Sequence, residues 1–297
     1  MSKLFGFEEI EKKLLDNFNS QKLHHGLLLS GSRGIGKASF VSSIATKIIL
    51  SSSNNKSEDL QKIISNSHPD LLLIKKEEKK RDITIDAVRK MNQFLSLTHA
   101  ISEHRVIVID AIDDLNKNSN NAILKTLEEP PKNVFLFLIN HNAAKIIDTI
   151  NSRCQMIKIP NLNYCDFKSA LNNKNAEIEE GEIETLSKLT DNCPAIALKM
   201  HEFNAAELLE QIQELASSNN QKEINKLAKI IAADDDLWNI FEKLIIFHFR
   251  NLVIKQNNSH QIFTVIDKVN NLLRTTKNLA LDKNQSIINV FGFLKGI

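Results

Sequence analysis

The sequence predicts an α/β domain built on a parallel sheet, followed by a second half made of helices alone. Three observations predict it. Five short apolar runs alternate with helical patterns as far as residue 160, the rhythm of strand–helix–strand units. A glycine-rich turn, Gly31-Ser32-Arg33-Gly34-Ile35-Gly36-Lys37, joins the first of those runs to the first long helical pattern. Beyond Leu162 strand signals stop and only helical periodicity continues.

Bulk properties bound the function. At 297 residues the chain is too long for one small domain, and two or three compact units are the natural division. A hydrophobic fraction of 42% supports real cores, and a net charge of +2 creates no general demand for nucleic acid. Cys154, Cys165 and Cys193 lie far apart without paired spacing. That argues against a disulfide framework and a zinc site, and suits a reducing cytosol. Met1 to Gly6 carries no signal-peptide pattern, and no apolar run approaches bilayer length. The expectation is a soluble, cytoplasmic protein with no membrane contact.

In order, Glu8–Phe18 reads as an amphipathic helix with Ile10, Leu14, Leu15 and Phe18 on one face. His24 and His25 lead into a strand at Leu27–Ser30. Strand alternation would point their imidazoles to opposite sides, away from a shared metal. Ala38–Leu50 is a helix, with Phe40, Ile44, Ile48 and Val41, Ala45, Ile49 at helical spacing. Ser51–Ser57 is a polar loop, Leu60–Ile64 a short helix, and Leu71–Ile74 a buried strand. Lys75–Arg81 reads as a solvated charged turn. Thr84 suits the N-cap of a helix carrying Ile85, Val88, Met91, Leu95 and Leu97.

Val106–Asp110 is a β-branched run of the kind found in a central parallel strand buried on both faces. Ser119–Glu129 is a helix stopped by Pro130-Pro131. Val134–Ile139 is the fourth strand, ending in Asn140-His141; a short helix over Ala143–Ile150 and a fifth strand over Gln155–Ile159 complete the α/β half. Tyr164–Leu171, Ile183–Leu189 and Pro194–His201 then read as three short helices, with longer ones from Ala205. Leu237, Trp238, Phe241, Leu244, Ile245, His248, Phe249 and Leu252 form a wide apolar face, suited to a bundle core or to burial against other subunits. His248 reads as a core-edge histidine.

The chemistry concentrates in two places. Three of only eight glycines fall in Gly31–Lys37, between a strand and a helix start. In that context Gly31, Gly34 and Gly36 let backbone N–H groups converge on phosphate oxygens, and Lys37 reaches the terminal phosphates. Ala38 stands where a Ser or Thr would ligate magnesium. Ser39, rotated by about 100° around the helix, is on another face. Asp110, at the carboxyl end of its strand, is placed as a Walker-B acid would be. The next residue, Ala111, lacks the carboxylate that would orient an attacking water. Asp113 and Asp114, beyond the strand end, read as capping or solvated.

The order Gly31–Lys37, Val106–Asp110, Asn121–Pro131 (Asn-Ala-Ile-Leu-Lys-Thr-Leu-Glu-Glu-Pro-Pro) and Ser152-Arg153-Cys154 resembles the bacterial DNA polymerase III clamp-loader subunits, which are AAA+ proteins. The likeness covers residues 1–160. It implies an AAA+ P-loop domain with a five-stranded parallel sheet at 1–160, a three-helix lid at 161–203, and an all-α collar at 204–297 that assembles an oligomer. Two subunit types resemble the chain: an ATP-hydrolysing motor and the non-motor delta-prime type.

Ala38, Ala111 and Ala195, the last standing where the motor carries a lid arginine, all imply the non-motor type. The resemblance then implies weak or absent ATP/ADP binding at Gly31, Gly34, Gly36, Lys37 and Asp110, with no cofactor required and no bound metal. Ser51–Pro69 lacks the four cysteines that many such subunits carry there, which predicts no zinc. Arg153 is implied to be an arginine finger donated to a neighbour's ATP, a role worth on the order of 10³–10⁵ in rate. The implied partners are motor subunits, a delta subunit, the sliding clamp and primed DNA. The alternative is an ATP-hydrolysing motor subunit or another replication ATPase.

Overall fold

The computed structural model describes residues 4–77, 82–96, 101–142, 146–174, 177–218, 220–255 and 259–294. Expectations for residues 78–81, Leu97 and residues 143–145 lie outside the described residues. Packing divides the chain into two units, one formed by Met1–Asn175 with Cys193–Ala195, the other by Ala176–Asn192 with Ile196–Ile297.

The first unit runs α1 (Glu8–Asn19), β1 (Gly26–Ser30), α2 (Lys37–Ser51), α3 (Lys56–Ile64), β2 (Leu71–Lys75), α4 (Ile85–Ser96), β3 (Arg105–Asp110), a 3₁₀ turn (Ile112–Asp114), α5 (Lys117–Glu128), β4 (Val134–Asn140), α6 (Asp148–Asn151), β5 (Gln155–Lys158) and α7 (Tyr164–Asn172). All strand pairs are parallel, in the order β2-β3-β4-β1-β5. β1, β3 and β4 are buried nearly throughout, as their unbroken apolar runs require. Leu71–Ile74 departs from the buried strand expected: β2 is an edge strand, and Leu73 is 43% exposed.

Strand alternation sorts the core. Leu28, Ile107, Ile109, Leu136 and Leu138 pack with Val88 and Met91 of α4 and with Ile123 and Leu127 of α5. On the other face α2 packs on β3 and β4, with Phe40, Val41, Ile44 and Ile48 fully buried. Each such side chain contributes about 1.5–3 kcal/mol.

Local chemistry moves some boundaries. α5 begins at Lys117, not Ser119, because the Asn116 side chain accepts the Ser119 N–H at 2.9 Å and caps the helix earlier. α6 is one turn, Asp148–Asn151. The His24 and His25 rings do not diverge; they stack with centroids 4.2 Å apart. Both precede β1, so strand alternation does not govern them.

Sequence periodicity gave no sign of a buried polar cluster at the amino edge of β2 and β3. There Asp70 accepts the Ile101 and Ser102 N–H groups, each at 2.9 Å, and faces Arg105 Nε at 3.4 Å. Arg105 also donates to the Phe94 carbonyl at 2.6 Å and lies over the Phe94 ring.

The second unit contains α8 (Glu180–Thr190), most of α9 (Pro194–Glu202), α10 (Ala205–Ser217), α11 (Gln221–Ala232), α12 (Asp235–Lys255), α13 (Ser259–Leu279) and α14 (Lys283–Leu294). These two units do not coincide with the three segments 1–160, 161–203 and 204–297. α7 groups with the sheet, where Leu162 and Asp166 lie against Gly6. Trp238, Phe241, Leu244, Ile245 and Phe249 of α12 are buried within their own bundle, Phe241 meeting Phe291 of α14. His248 is half-buried beside them. Among the described residues, no helix is long and apolar enough to cross a membrane.

Candidate functional site

The glycine turn leaves β1 at Ser30. A Cβ on Gly31 would stand 2.5 Å from the Ile159 carbonyl oxygen, so the backbone passes there only without a side chain. Gly36, at φ +100°, is left-handed and immediately precedes α2. Lys37 is buried, and its Nζ donates to the carbonyls of Gly31 at 2.8 Å and Ser32 at 2.7 Å. Burial pushes the Lys37 ammonium down to about 8, against the attraction of Asp110 and Asp113. The Ala195 N–H donates to the Gly34 carbonyl at 3.2 Å, so a residue far along the chain closes on this turn.

The sheet order decides what faces the turn. β4 lies between β1 and β3, so Asn140 stands between Ser30 and Asp110 at the carboxyl edge. The Asn140 amide donates to Ser30 Oγ at 3.2 Å, with both residues buried. Asp110 Oδ1 lies 3.3 Å from His141 Nε2, and the His141 backbone N–H donates to Asp113 Oδ1 at 3.1 Å. Asp113 therefore holds the β4 end in place, and Asp114 pairs with Lys76 at 3.3 Å. Asn140 and His141 were visible only as the residues ending a strand; their place beside Asp110 depends on pairing distant in sequence.

These residues do not fit a magnesium site. Ala38 offers no hydroxyl, and the Asp110 carboxylate faces an imidazole nitrogen. The phosphate cradle has its glycines, and the Lys37 ammonium spends two of its three N–H groups on loop carbonyls, leaving one for a phosphate. Among the described residues, no group of three or more His, Cys, Asp or Glu side chains could hold a metal ion.

Gly31, Gly34, Gly36, Lys37 and Asp110 come together at the carboxyl edge. Arg153 does not join them. It lies just before β5, whose Gln155 pairs with Leu27, and its carbonyl sits near Gly26 at the start of β1. The length of β1, about 13–16 Å at ~3.3 Å per residue, separates it from the turn. The Arg153 guanidinium donates through Nη1 to the Thr149 carbonyl at 2.9 Å and to Ser152 Oγ at 3.2 Å. Its Nη2 meets Glu128 Oε1 at 2.6 Å. Glu128, the last residue of α5, carried no local signal that it would meet Arg153.

A five-stranded parallel sheet with a glycine turn after β1 and an acid at the tip of β3, in a chain with a second, helical unit, defines a P-loop-type α/β protein. Residues 6–163 match the family described as DNA polymerase III, delta subunit, and the chain belongs to that family. It is 28% identical over 201 residues to DNA polymerase III subunit delta' of Pseudomonas aeruginosa, covering 64% of this chain and 60% of that one. It is also 28% identical over 248 residues to subunit gamma of Buchnera aphidicola subsp. Schizaphis graminum, covering 78% and 67%. The chain thus spans about three-fifths of the length of the delta' relative it matches. A gamma subunit-related protein of Thermotoga maritima shares the fold over 98% of both chains, at a TM-score of 0.51 and 14% identity.

Proposed function

We propose that this chain is a non-motor, delta-prime-like subunit of a DNA polymerase III clamp loader, donating Arg153 to the ATP of a neighbouring motor subunit. Its partners in this reading are the motor subunits and a delta subunit, acting together on the sliding clamp and primed DNA. The observation that carries the reading is the position of Arg153. It stands a strand's length from the chain's own glycine turn, beyond reach of a nucleotide held there, with its side chain one-third exposed to a partner. Ala38, Ala111 and the Asp110–His141 contact support the same division, with the chain's own turn binding nucleotide weakly or not at all.

A second reading, an ATP-hydrolysing motor, is favoured by the longer match to subunit gamma. Co-expression with the motor and delta subunits of the same source separates the two. Recovery of a complex whose DNA-stimulated ATPase falls in Arg153→Ala supports the first, with a loss on the order of 10³-fold at the site it serves. Failure to associate, or full activity in Arg153→Ala, refutes it. Turnover by the isolated chain that disappears in Lys37→Ala establishes the motor.

A further inference from the structure

Arg153 is not free in the chain by itself. Its Nη1 is anchored by its own turn, through the Thr149 carbonyl and Ser152 Oγ. Its Nη2 is held by a different element, the Glu128 carboxylate at the C-terminal end of α5. We propose that Glu128 is a restraining, positioning residue: it parks the Arg153 guanidinium and keeps the neighbour's hydrolysis slow until the Glu128–Arg153 pair opens. This rests on the reading of Arg153 as a group donated in trans.

Two physical effects act in the same direction. A guanidinium paired with Glu128 must give up or share that partner to meet a phosphate, so the pair lowers the competent population. A carboxylate at 2.6 Å also offsets the positive charge that would stabilise negative charge developing on the neighbour's ATP. The pair is nonetheless breakable. The side chains are 33% and 50% exposed, and an ion pair of this kind biases an equilibrium by about two- to fivefold. Release leaves Arg153 tethered at its turn, because its Nη1 bonds to Thr149 and Ser152 do not depend on Glu128.

The placement of α5 fixes where the pair forms and confines release to the side chains. The helix follows the 3₁₀ turn after Asp110 and runs ~18 Å to Glu128. Its N-terminal end therefore lies by the carboxyl edge of the sheet and its C-terminal end by Arg153. The His25 Nε2 contact with the Leu127 carbonyl, 3.1 Å, fastens that last turn to the lead-in of β1. Because α5 and α6 share one core through Ile123, Leu127 and Ile150, release is a rotation of the half-exposed Glu128 side chain away from Arg153.

The test uses the reconstituted complex of full-length chains, with steady-state ATPase measured with and without primed DNA and clamp. Wild type is compared with Glu128→Gln, Arg153→Ala and the double variant. Glu128→Gln is expected to raise the unstimulated kcat about two- to fivefold, to leave the KM for ATP unchanged, and so to lower the stimulation ratio. In the Arg153→Ala background the same substitution is expected to do nothing. An unchanged or lowered unstimulated kcat in Glu128→Gln overturns the restraint, as does a rise that persists without Arg153. A lowered rate in Arg153→Ala with no rise in Glu128→Gln removes the restraint and leaves the trans role standing. A wild-type rate in Arg153→Ala removes the trans role and the restraint with it.

Discussion

Replacing Asp70 by Asn tests whether the buried polar cluster holds the Walker-type strand in register. Asp70 is fully buried; its Oδ2 accepts the Ile101 and Ser102 N–H groups at 2.9 Å and its Oδ1 faces Arg105 Nε at 3.4 Å. The amide is nearly isosteric and can still accept from one pair of groups. It removes the charge opposite Arg105, which is only 3% exposed. Breaking one side of a buried pair costs about 3–5 kcal/mol. Arg105 keeps the Phe94 carbonyl and ring, which places the expected loss near the lower end, about 3 kcal/mol.

Two packed units make a single melting temperature hard to interpret, so native-state hydrogen exchange of β3 amides is the better assay. The Val106 N–H, which donates to the Asp70 carbonyl at 3.0 Å, reports directly. Its protection should fall by about 10²-fold, the equivalent of ~3 kcal/mol. A loss under about fivefold refutes the ionic account of the cluster. Adding Arg105→Met to Asp70→Asn should recover part of the loss, since an apolar replacement removes the stranded charge.

Two further substitutions probe the frame of the site. Gly31→Ala sets a methyl 2.5 Å from the Ile159 carbonyl and should cost about 1–3 kcal/mol in denaturant titration, with an unchanged midpoint as the refuting result. His68 is buried, and desolvation holds its imidazole below the ordinary 6.5 despite Asp59 and Asp70 nearby. As pH falls below that value the unfolded chain takes a proton that the folded chain refuses, so stability declines with acidification. His68→Gln should flatten the decline between about pH 7 and 5, and an unchanged slope would remove His68 as its source.

What could be read from the sequence was local. The glycine turn, the apolar strands and α2 announced themselves because each is written in consecutive residues or in a helical repeat. The edge position of β2 was not legible, since Leu71–Ile74 looks the same whether one or two strands flank it. The insertion of β4 between β1 and β3 was not legible either, and it is what brings His141 to Asp110. Asp70–Arg105 and Glu128–Arg153 are ion pairs between elements separated by 35 and 25 residues, and no periodicity marks either partner. His24 and His25 show a related limit: both lie just before β1, where strand alternation does not hold, and their rings stack.

The same geometry explains why the chain's charged groups differ in what they can be asked to do. Lys37 is buried and bonded to two carbonyls of its own loop, which leaves one of its three N–H groups for a phosphate. Asp110 has an imidazole at 3.3 Å, and a cation there must compete with it without a hydroxyl from residue 38. Arg153 is also paired, but at the surface, where exchange of one oxygen anion for another costs at most about 1 kcal/mol. Binding at the turn therefore has one Lys37 donor and no hydroxyl at residue 38 to work with, whereas presenting Arg153 to an anion exchanges one carboxylate contact for another anionic contact. These contacts are the physical basis of the proposed division, in which the chain's own turn holds nucleotide weakly and Arg153, once released from Glu128, serves a neighbouring subunit.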